Sequence, residues 1–123
     1  MMTIRQVMTP APSCIEDGDT VSSAARTMCD LGVRALPVCG EHQRFLGMLS
    51  ERDILERCVA AGLDPTVVRA GSLVVGVYES IDPESPADDT VLAVLFLHAD
   101  GLPVVQDGQL VGMVGLVDVA ARP

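Results

Sequence analysis

The sequence is almost without aromatic side chains: its 123 residues include one tyrosine, two phenylalanines and no tryptophan. Its hydrophobic share is nevertheless 49%, so the core has to be built from aliphatic residues and methionine. A chain of this length can bury a core without disulfides or metals, and one compact domain is the default organisation. The high apolar share also favours burial of some side chains between subunits.

Lysine is absent as well. All eight basic residues are arginines, against 17 acidic residues, which gives a net charge of −9. The chain has no basic run and no series of stacking aromatics, and an acidic surface repels phosphate backbones. We therefore expect no nucleic-acid partner. The charge is also uneven, because residues 70–123 hold one arginine and eight acidic residues.

Long hydrophobic runs are missing too. The longest, VLAVLFL at residues 91–97, is far shorter than the roughly 20 residues of a membrane-spanning helix. The first residues, MMTIRQVMTP, lack the apolar core of a signal peptide. We expect no membrane association and a cytoplasmic location.

What the chain does contain is a repeated phrase. GMLSERD at residues 47–53 returns as GMVGLVD at residues 112–118. The repeat extends further, since Ile15 and Ile81 are 66 positions apart and LPV at residues 36–38 recurs at residues 102–104. A near-constant offset through so many matches indicates an internal duplication. We place the first copy at residues 5–61, a linker helix at residues 62–70 and the second copy at residues 71–122.

Each copy has the same predicted order of elements. A short extended piece is followed by turn and cap residues, with Asp19 as the predicted N-cap, and then by a helix that Gly32 ends. Two short strands form a hairpin, and a second amphipathic helix follows. In the second copy Ser85 and Pro86 occupy the predicted cap, and Asp107–Gly108 the hairpin turn. The predicted fold class is therefore α/β, with two β-α-β-β-α repeats related by a pseudo-twofold that cover each other's apolar faces.

Paired repeats with LPV, a polar turn and then G-x-x-[ST]-x-x-D resemble a tandem cystathionine-β-synthase (CBS) domain pair, also called a Bateman module. The segments RALPVCGEHQRFLGMLSERDI and AAGLDP resemble the stand-alone two-domain CBS proteins of the hypoxic response group. The resemblance covers nearly the whole chain. It implies a disc with two clefts between the repeats, which in many members bind AMP, ADP, ATP or S-adenosylmethionine and in others have no known ligand.

The resemblance also implies a site. Ser50 would contact phosphate and Asp53 the ribose hydroxyls, with Arg34 or Arg52 close enough to assist. The adenine ring would be lined by the chain near Thr9, Ser13, Ala35 and Leu36. Elementary chemistry agrees, because a hydroxyl at the start of a helix can donate to an anion and a carboxylate can hold two hydroxyls.

A purely structural role accounts for the same residues. Ser50 is a good N-cap, and Glu51 and Asp53 in the first turn favour the helix dipole. The sequence leaves this alternative open.

The second copy lacks the hydroxyl, since Gly115 stands where Ser50 stood. Asp100 replaces Arg34 and Val117 replaces Arg52, so a phosphate would lose a donor and two cations. Asp118, with Gly115 and Gly101, leaves a weaker second cleft suited to an uncharged ligand. We expect the two clefts to differ, with nucleotide binding at the first.

Four cysteines form no C-x-x-C pattern, and neither histidine joins a metal motif, so we predict no metal site. Cys14 and Cys39 fall on predicted neighbouring parallel strands, within reach of a disulfide. The alternative is two reduced thiols, as a cytosolic setting favours. Cys29 and Cys58 are interpreted as buried small hydrophobes.

We place no catalytic triad or Cys–His pair, so the chain is not expected to be an enzyme. The leading interpretation is a stand-alone CBS-pair regulatory module that senses an adenosine-type ligand in the cleft near Ser50 and Asp53. The alternative is a redox-responsive or constitutive interaction module that binds no nucleotide. Leu92 and Phe96, four apart on an apolar helix, are predicted to form a homodimer contact, unless the linker helix covers them.

Overall fold

The structure is a computed structural model that describes residues 1–76 and 78–123. The chain divides into two compact units. We call Ser13–Tyr78 the first-copy unit, and Met1–Pro12 together with Glu79–Pro123 the second-copy unit. Among the described residues, no helix has the length and apolar character that crossing a membrane would require.

The first-copy unit contains β2 (Ile15–Glu16), α2 (Val21–Leu31), β3 (Ala35–Cys39), β4 (Phe45–Ser50) and α3 (Glu51–Ile54). A 3-10 turn, Glu41–Gln43, joins β3 to β4, and α3 continues as a π-helical segment, Leu55–Val59. The sheet has the order β2-β3-β4, with β2 parallel to β3 and β4 antiparallel to it. This is the strand, helix and hairpin order that the sequence predicts.

The second-copy unit repeats this order around its own sheet. Ile81 forms a parallel bridge with Val104, and α4 (Asp89–Leu95), β5 (Leu102–Gln106), β6 (Gln109–Val114) and α5 (Leu116–Ala120) follow. Asp107 and Gly108 both have positive φ, 52° and 80°, as a two-residue hairpin turn requires. The α/β class with two repeats is confirmed.

The first residues of the chain belong to the second-copy unit, whereas the sequence assigns residues 5–12 to the first copy. Helix α1 (Ile4–Val7) and strand β1 (Thr9–Pro10) join the second-copy unit, where β1 pairs antiparallel with β6. In the first-copy unit the matching position is filled by a 3-10 turn, Ala70–Leu73. Each unit therefore contains the leading segment of the other copy, although the repeat boundaries themselves stay a prediction.

Matched backbone bonds support this exchange. The Ile4 N–H donates to the Ser85 carbonyl at 2.9 Å, and 66 positions later the Ala70 N–H donates to the Asp19 carbonyl at 2.7 Å. Gly112, the first glycine of the repeated phrase in the second copy, has a packing role where β1 pairs with β6. A Cβ at Gly112 would lie 2.9 Å from the Thr9 carbonyl oxygen, so a glycine is needed where β1 passes close to β6.

The predicted linker helix over residues 62–70 is wrong. Asp64 accepts hydrogen bonds from the Thr66 N–H at 2.9 Å and the Thr66 hydroxyl at 2.7 Å, a local turn that competes with a helix. The chain then extends, and Arg69 bridges to Thr20 before the 3-10 turn. Val68 packs against the first core.

Two predicted caps shift by one to three residues. Thr20, not Asp19, accepts the Ser23 N–H at the start of α2. Asp88, not Ser85, accepts the Val91 N–H at the start of α4. Gly32 ends α2 in the left-handed conformation, with φ 67°, as expected.

Each unit has its own aliphatic core. The first gathers the inward faces of α2, β3 and β4 with the 3-10 turn; its buried members are Ile15, Val21, Ala24, Met28, Leu36, Val38, Leu49, Cys58, Ala70 and Leu73. The second gathers α1, α4 and α5 on β5 and β6; its buried members are Ile4, Ala87, Leu95, Leu102, Val104, Val114 and Val119.

The predicted apolar contact pair needs correction. Leu92 is half-buried and packs against the second core, so it is not a free surface residue. Helix α4 ends at Leu95, and the side chains left exposed are Phe96 at 69% and its neighbour Leu97 at 83%.

Candidate functional site

The predicted ligand residues of the first copy gather where β3 begins and β4 ends. Ala35 pairs with Ser50 in the β3–β4 register, and the Glu51 N–H donates to the Arg34 carbonyl at 2.8 Å. Arg34, Ala35, Ser50 and the first turn of α3 are thereby held at one edge of the first-copy unit. Leu36 also lies there but is buried in the core.

Ser50 and Asp53 form a reciprocal capping box. The Asp53 N–H donates to Ser50 Oγ at 3.0 Å, and the Ser50 N–H donates to Asp53 Oδ2 at 2.9 Å. The structural role left open by the sequence is therefore real. It does not exhaust either side chain, because the Ser50 hydroxyl can still donate its proton and Asp53 keeps a second oxygen.

The second oxygen of Asp53 faces a cation that the sequence analysis missed. Arg57 Nη1 lies 3.8 Å from Asp53 Oδ1, and the Asp53 side chain is 26% exposed. The spacing of four along a helix was the available signal, since an acid four residues before an arginine is a favourable pair.

The two predicted phosphate-binding arginines differ. Arg52 Nε donates to Glu56 Oε1 at 2.6 Å, and its side chain is 81% exposed. Arg34 is exposed, and within the described part of the chain it has no ion-pair partner. Arg34 is therefore the better placed of the two to meet an anion.

A cavity of about 320 Å³ lies beside Arg34, between α2 and α3. Its lining includes Cys29, Val33, Arg34 and Glu51, but neither Ser50 nor Asp53. Two other predicted contacts belong to other elements: Thr9 is in β1 of the second-copy unit, paired with Met113, and Ser13 is an exposed residue just before β2.

The second copy keeps half of the capping box. The Gly115 N–H donates to Asp118 Oδ2 at 2.7 Å, but Gly115 has no side chain to return the bond. A cavity of about 410 Å³ lies here, with Asp100, Gly101 and Gly115 in its lining. Gly101 has a structural reason of its own, because its φ is +83° and a Cβ would lie 2.8 Å from the Val114 carbonyl oxygen.

Cys14 and Cys39 are neighbours, both as free thiols. Burial first, then the adjacent Cys14 thiol and Glu16, raise the pKa of Cys39 to about 12. Cys14 Sγ also lies 3.6 Å from Gln43 Oε1. Of the other two cysteines, Cys58 is buried as expected, whereas Cys29 is exposed, contrary to expectation.

The histidines have structural contacts. His98 Nδ1 lies 3.0 Å from the Val94 carbonyl at the end of α4, and Nε2 lies 2.8 Å from Glu79 Oε2. Across residues 1–76 and 78–123, no three His, Cys, Asp or Glu side chains group in a way that could hold a metal ion.

Two strand–helix–hairpin repeats, each with a glycine, a helix start and an aspartate in fixed register, define a CBS pair. The CBS-domain family model matches residues 4–60. Hypoxic response protein 1 of Mycobacterium tuberculosis is 32% identical over 120 residues, which cover 98% of this chain and 84% of that protein. The chain belongs to the CBS-domain family.

Other CBS proteins also match the chain over nearly its whole length. The CBS domain-containing protein YhcV of Bacillus subtilis is 31% identical over 126 residues, covering 99% of this chain and 86% of that one. The crystal structure of hypoxic response protein I, with two coordinated zinc ions, has a TM-score of 0.84 at 34% identity and covers 99% and 100% of the two chains. CBSX2 in complex with AMP shares the fold, with a TM-score of 0.77 at 22% identity, covering 98% and 94%.

Proposed function

We propose that this chain is a non-catalytic, cytoplasmic CBS-pair module that senses an adenosine-type ligand. The ligand class is AMP, ADP, ATP or S-adenosylmethionine, and the site is built on Ser50 and Asp53 with Arg34. The observation that carries the proposal is the geometry of Asp53, whose Oδ2 accepts the Ser50 N–H while Oδ1, among the described residues, has Arg57 Nη1 at 3.8 Å as its polar neighbour.

The roles follow from the atoms. Asp53 Oδ1 can accept a ribose hydroxyl without breaking the capping box. The Ser50 hydroxyl, which accepts from the Asp53 N–H, has a proton to donate to a phosphate oxygen. The Arg34 guanidinium supplies charge at the same edge, and guanidinium–phosphate bonds are among the stronger hydrogen bonds in proteins.

The second copy serves as an internal comparison. Gly115 has no hydroxyl, and Asp100 brings a negative charge to the lining of the cavity beside it. A phosphate is disfavoured there by the charge, whereas Asp118 can still accept from an uncharged ligand. We therefore assign phosphorylated ligands to the first copy.

Thermal unfolding with AMP, ATP, NADH and S-adenosylmethionine tests the proposal. A ligand at a hundredfold excess over its dissociation constant stabilises the native state by about 2.7 kcal/mol, a rise in Tm of roughly 10 °C for a chain of this size. Native mass spectrometry of the purified protein identifies any ligand that it retains. No shift with any of the four compounds, together with a ligand-free native mass, would contradict the proposal.

A second candidate function rests on the adjacent Cys14 and Cys39 thiols. A redox-responsive interaction module would form a disulfide between these two thiols on oxidation, lose it on reduction and bind no nucleotide. Its partner surface is the exposed Phe96 and Leu97, which fit a second copy of this chain. Loss or gain of a homodimer on oxidation, without any nucleotide effect, would favour this alternative.

A further inference from the structure

Arg57 joins two parts of the first-copy unit that the ligand proposal leaves separate. Its Nη1 donates to the Leu73 carbonyl at 2.7 Å and lies 3.8 Å from Asp53 Oδ1. One nitrogen therefore faces both the candidate ribose carboxylate and the end of the 3-10 turn. That turn lies at the predicted start of the second copy.

The turn is closely fitted to the unit. The Gly71 N–H donates to the Asp17 carbonyl at 3.0 Å, and Leu73 is only 5% exposed. Val74 packs over the strand glycine Gly47, since a Cβ at that glycine would collide with Val74 Cγ1. A shift of Arg57 would thus act on a segment with little room to move.

The second copy has the same arginine with different partners. Arg122 lies 65 positions after Arg57, and its Nη2 donates to Asp89 Oδ1 at 2.6 Å while its Nη1 donates to the Val119 carbonyl at 2.6 Å. The first copy has Ser23 where the second has Asp89, so Arg57 lacks that carboxylate. Within residues 1–76 and 78–123, Arg57 connects the aspartate of its repeated phrase to a leading segment, whereas the contacts of Arg122 are with Val119 and Asp89.

We infer that Arg57 is the positioning residue that couples Asp53 to the segment over residues 70–76. Arg57 orients Asp53 Oδ1 and donates to the Leu73 carbonyl. A ligand hydroxyl bound at Oδ1 therefore alters the contact of Arg57 with Asp53 and, through it, the hydrogen bond to Leu73. The inference rests on the proposed ligand site and adds the route by which occupancy of that site reaches the start of the second copy.

Hydrogen exchange of the amides in residues 70–76, measured by mass spectrometry on the ligand-free chain, tests the coupling without any nucleotide. We expect Arg57→Gln to speed exchange there about tenfold, as loss of a charged hydrogen bond predicts. Asp53→Asn should speed the same amides about twofold, because it weakens the helical ion pair. Arg57→Lys should restore part of the protection.

Arg122→Gln is the matched control and should leave exchange at residues 70–76 unchanged. The double variant Asp53→Asn, Arg57→Gln should exchange no faster than Arg57→Gln alone. If Arg57→Gln speeds exchange but Asp53→Asn does not, Arg57 only tethers the turn and the coupling is refuted. Unchanged exchange in Arg57→Gln would refute the tether as well.

A second arm adds AMP. We expect AMP to slow exchange at residues 70–76 in the wild type and not in Arg57→Gln. Equal slowing in both would overturn the inference while leaving nucleotide binding intact. If AMP does not bind the wild type, the proposed ligand fails, and the ligand-free comparison still decides the role of Arg57.

Discussion

Replacing Ser50 by glycine would give the first copy the capping geometry of the second. The change removes the Oγ that accepts the Asp53 N–H at 3.0 Å but leaves the bond from the Ser50 N–H to Asp53 Oδ2. That remaining bond exists at Gly115, where the N–H donates to Asp118 Oδ2 at 2.7 Å. Glycine is a tolerable N-cap, so the cost is a few tenths of a kcal/mol, against about 1 kcal/mol for Ser50→Ala.

These costs translate into melting temperatures. For a chain of this size 1 kcal/mol corresponds to roughly 3–5 °C. Circular dichroism melting of the ligand-free protein should therefore show a fall of about 1 °C for Ser50→Gly and about 4 °C for Ser50→Ala. The reverse change, Gly115→Ser, should raise the Tm by about 1 °C, because a Cβ there would meet Asp118 Oδ2 at an ordinary 3.6 Å.

The comparison separates cap from ligand contact. Since Ser50→Gly leaves the fold nearly as stable as the wild type, any large loss of AMP affinity in that variant comes from the missing hydroxyl. A fall in Tm as large for glycine as for alanine would refute the capping argument. It would show that Ser50 stabilises the chain through something other than its bond to the Asp53 N–H.

Four further outcomes are expected. Gly112→Ala should lower the free energy of unfolding in urea by about 1–3 kcal/mol, because its Cβ would lie 2.9 Å from the Thr9 carbonyl oxygen. The control Gly18→Ala, whose Cβ has no atom within 4 Å, should cost less than about 0.5 kcal/mol. Equal costs would contradict the close passage of β1 at Gly112. Mild oxidation should yield a disulfide-linked Cys14–Cys39 peptide on non-reducing mapping, and that disulfide should stabilise the fold by roughly 3 kcal/mol at most for a loop of this length. In the reduced chain the pKa of Cys39 is raised to about 12, so the folded state keeps the thiol proton to higher pH than the unfolded state does. The free energy of unfolding should therefore fall as the pH rises from about 9 to 12, and it should fall less in Cys39→Ala. Phe96→Glu with Leu97→Glu should give a folded monomer by light scattering; a wild type that is already monomeric at micromolar concentration would place the interface elsewhere.

The duplication made most of the fold predictable. A fixed offset identified the strands and helices in both copies at once, and Asp107–Gly108 identified the second hairpin turn by its chemistry. The offset could not show which sheet receives each leading segment, because residues 3–10 and 69–76 stand in equivalent places at the starts of the two copies. The pairing of Thr9 with Met113 is long-range, and no local pattern encodes it.

Local misassignments had local causes. In the stretch LDPTVVRAG, the Asp64 side chain captures Thr66 and the β-branched residues disfavour a helix. At the start of α4, several residues of SPADD can cap a helix, and tertiary contacts select Asp88. Helix α4 packs a wider face on the second core than the predicted stripe, because Leu92 contacts that core together with Val91 and Val94.

The site shows a different limit. Ser50 and Asp53 were identified from sequence, but the residues that suit a nucleotide are also those that make a capping box. Sequence alone could not separate the two roles, and the structure shows that one does not prevent the other. Arg57 lies one helical turn beyond Asp53 and outside the repeated phrase, so the phrase itself does not point to it.

Calorimetric titration of AMP into the wild type, Asp53→Ala and Asp118→Ala tests the central claim most directly. We predict that Asp53→Ala weakens binding about tenfold or more, as loss of hydrogen bonds to a charged group implies, and that Asp118→Ala stays within about twofold of the wild type. Equal losses in the two variants, or tight AMP binding by the double variant Ser50→Gly, Asp53→Ala, would contradict a nucleotide site in the first copy.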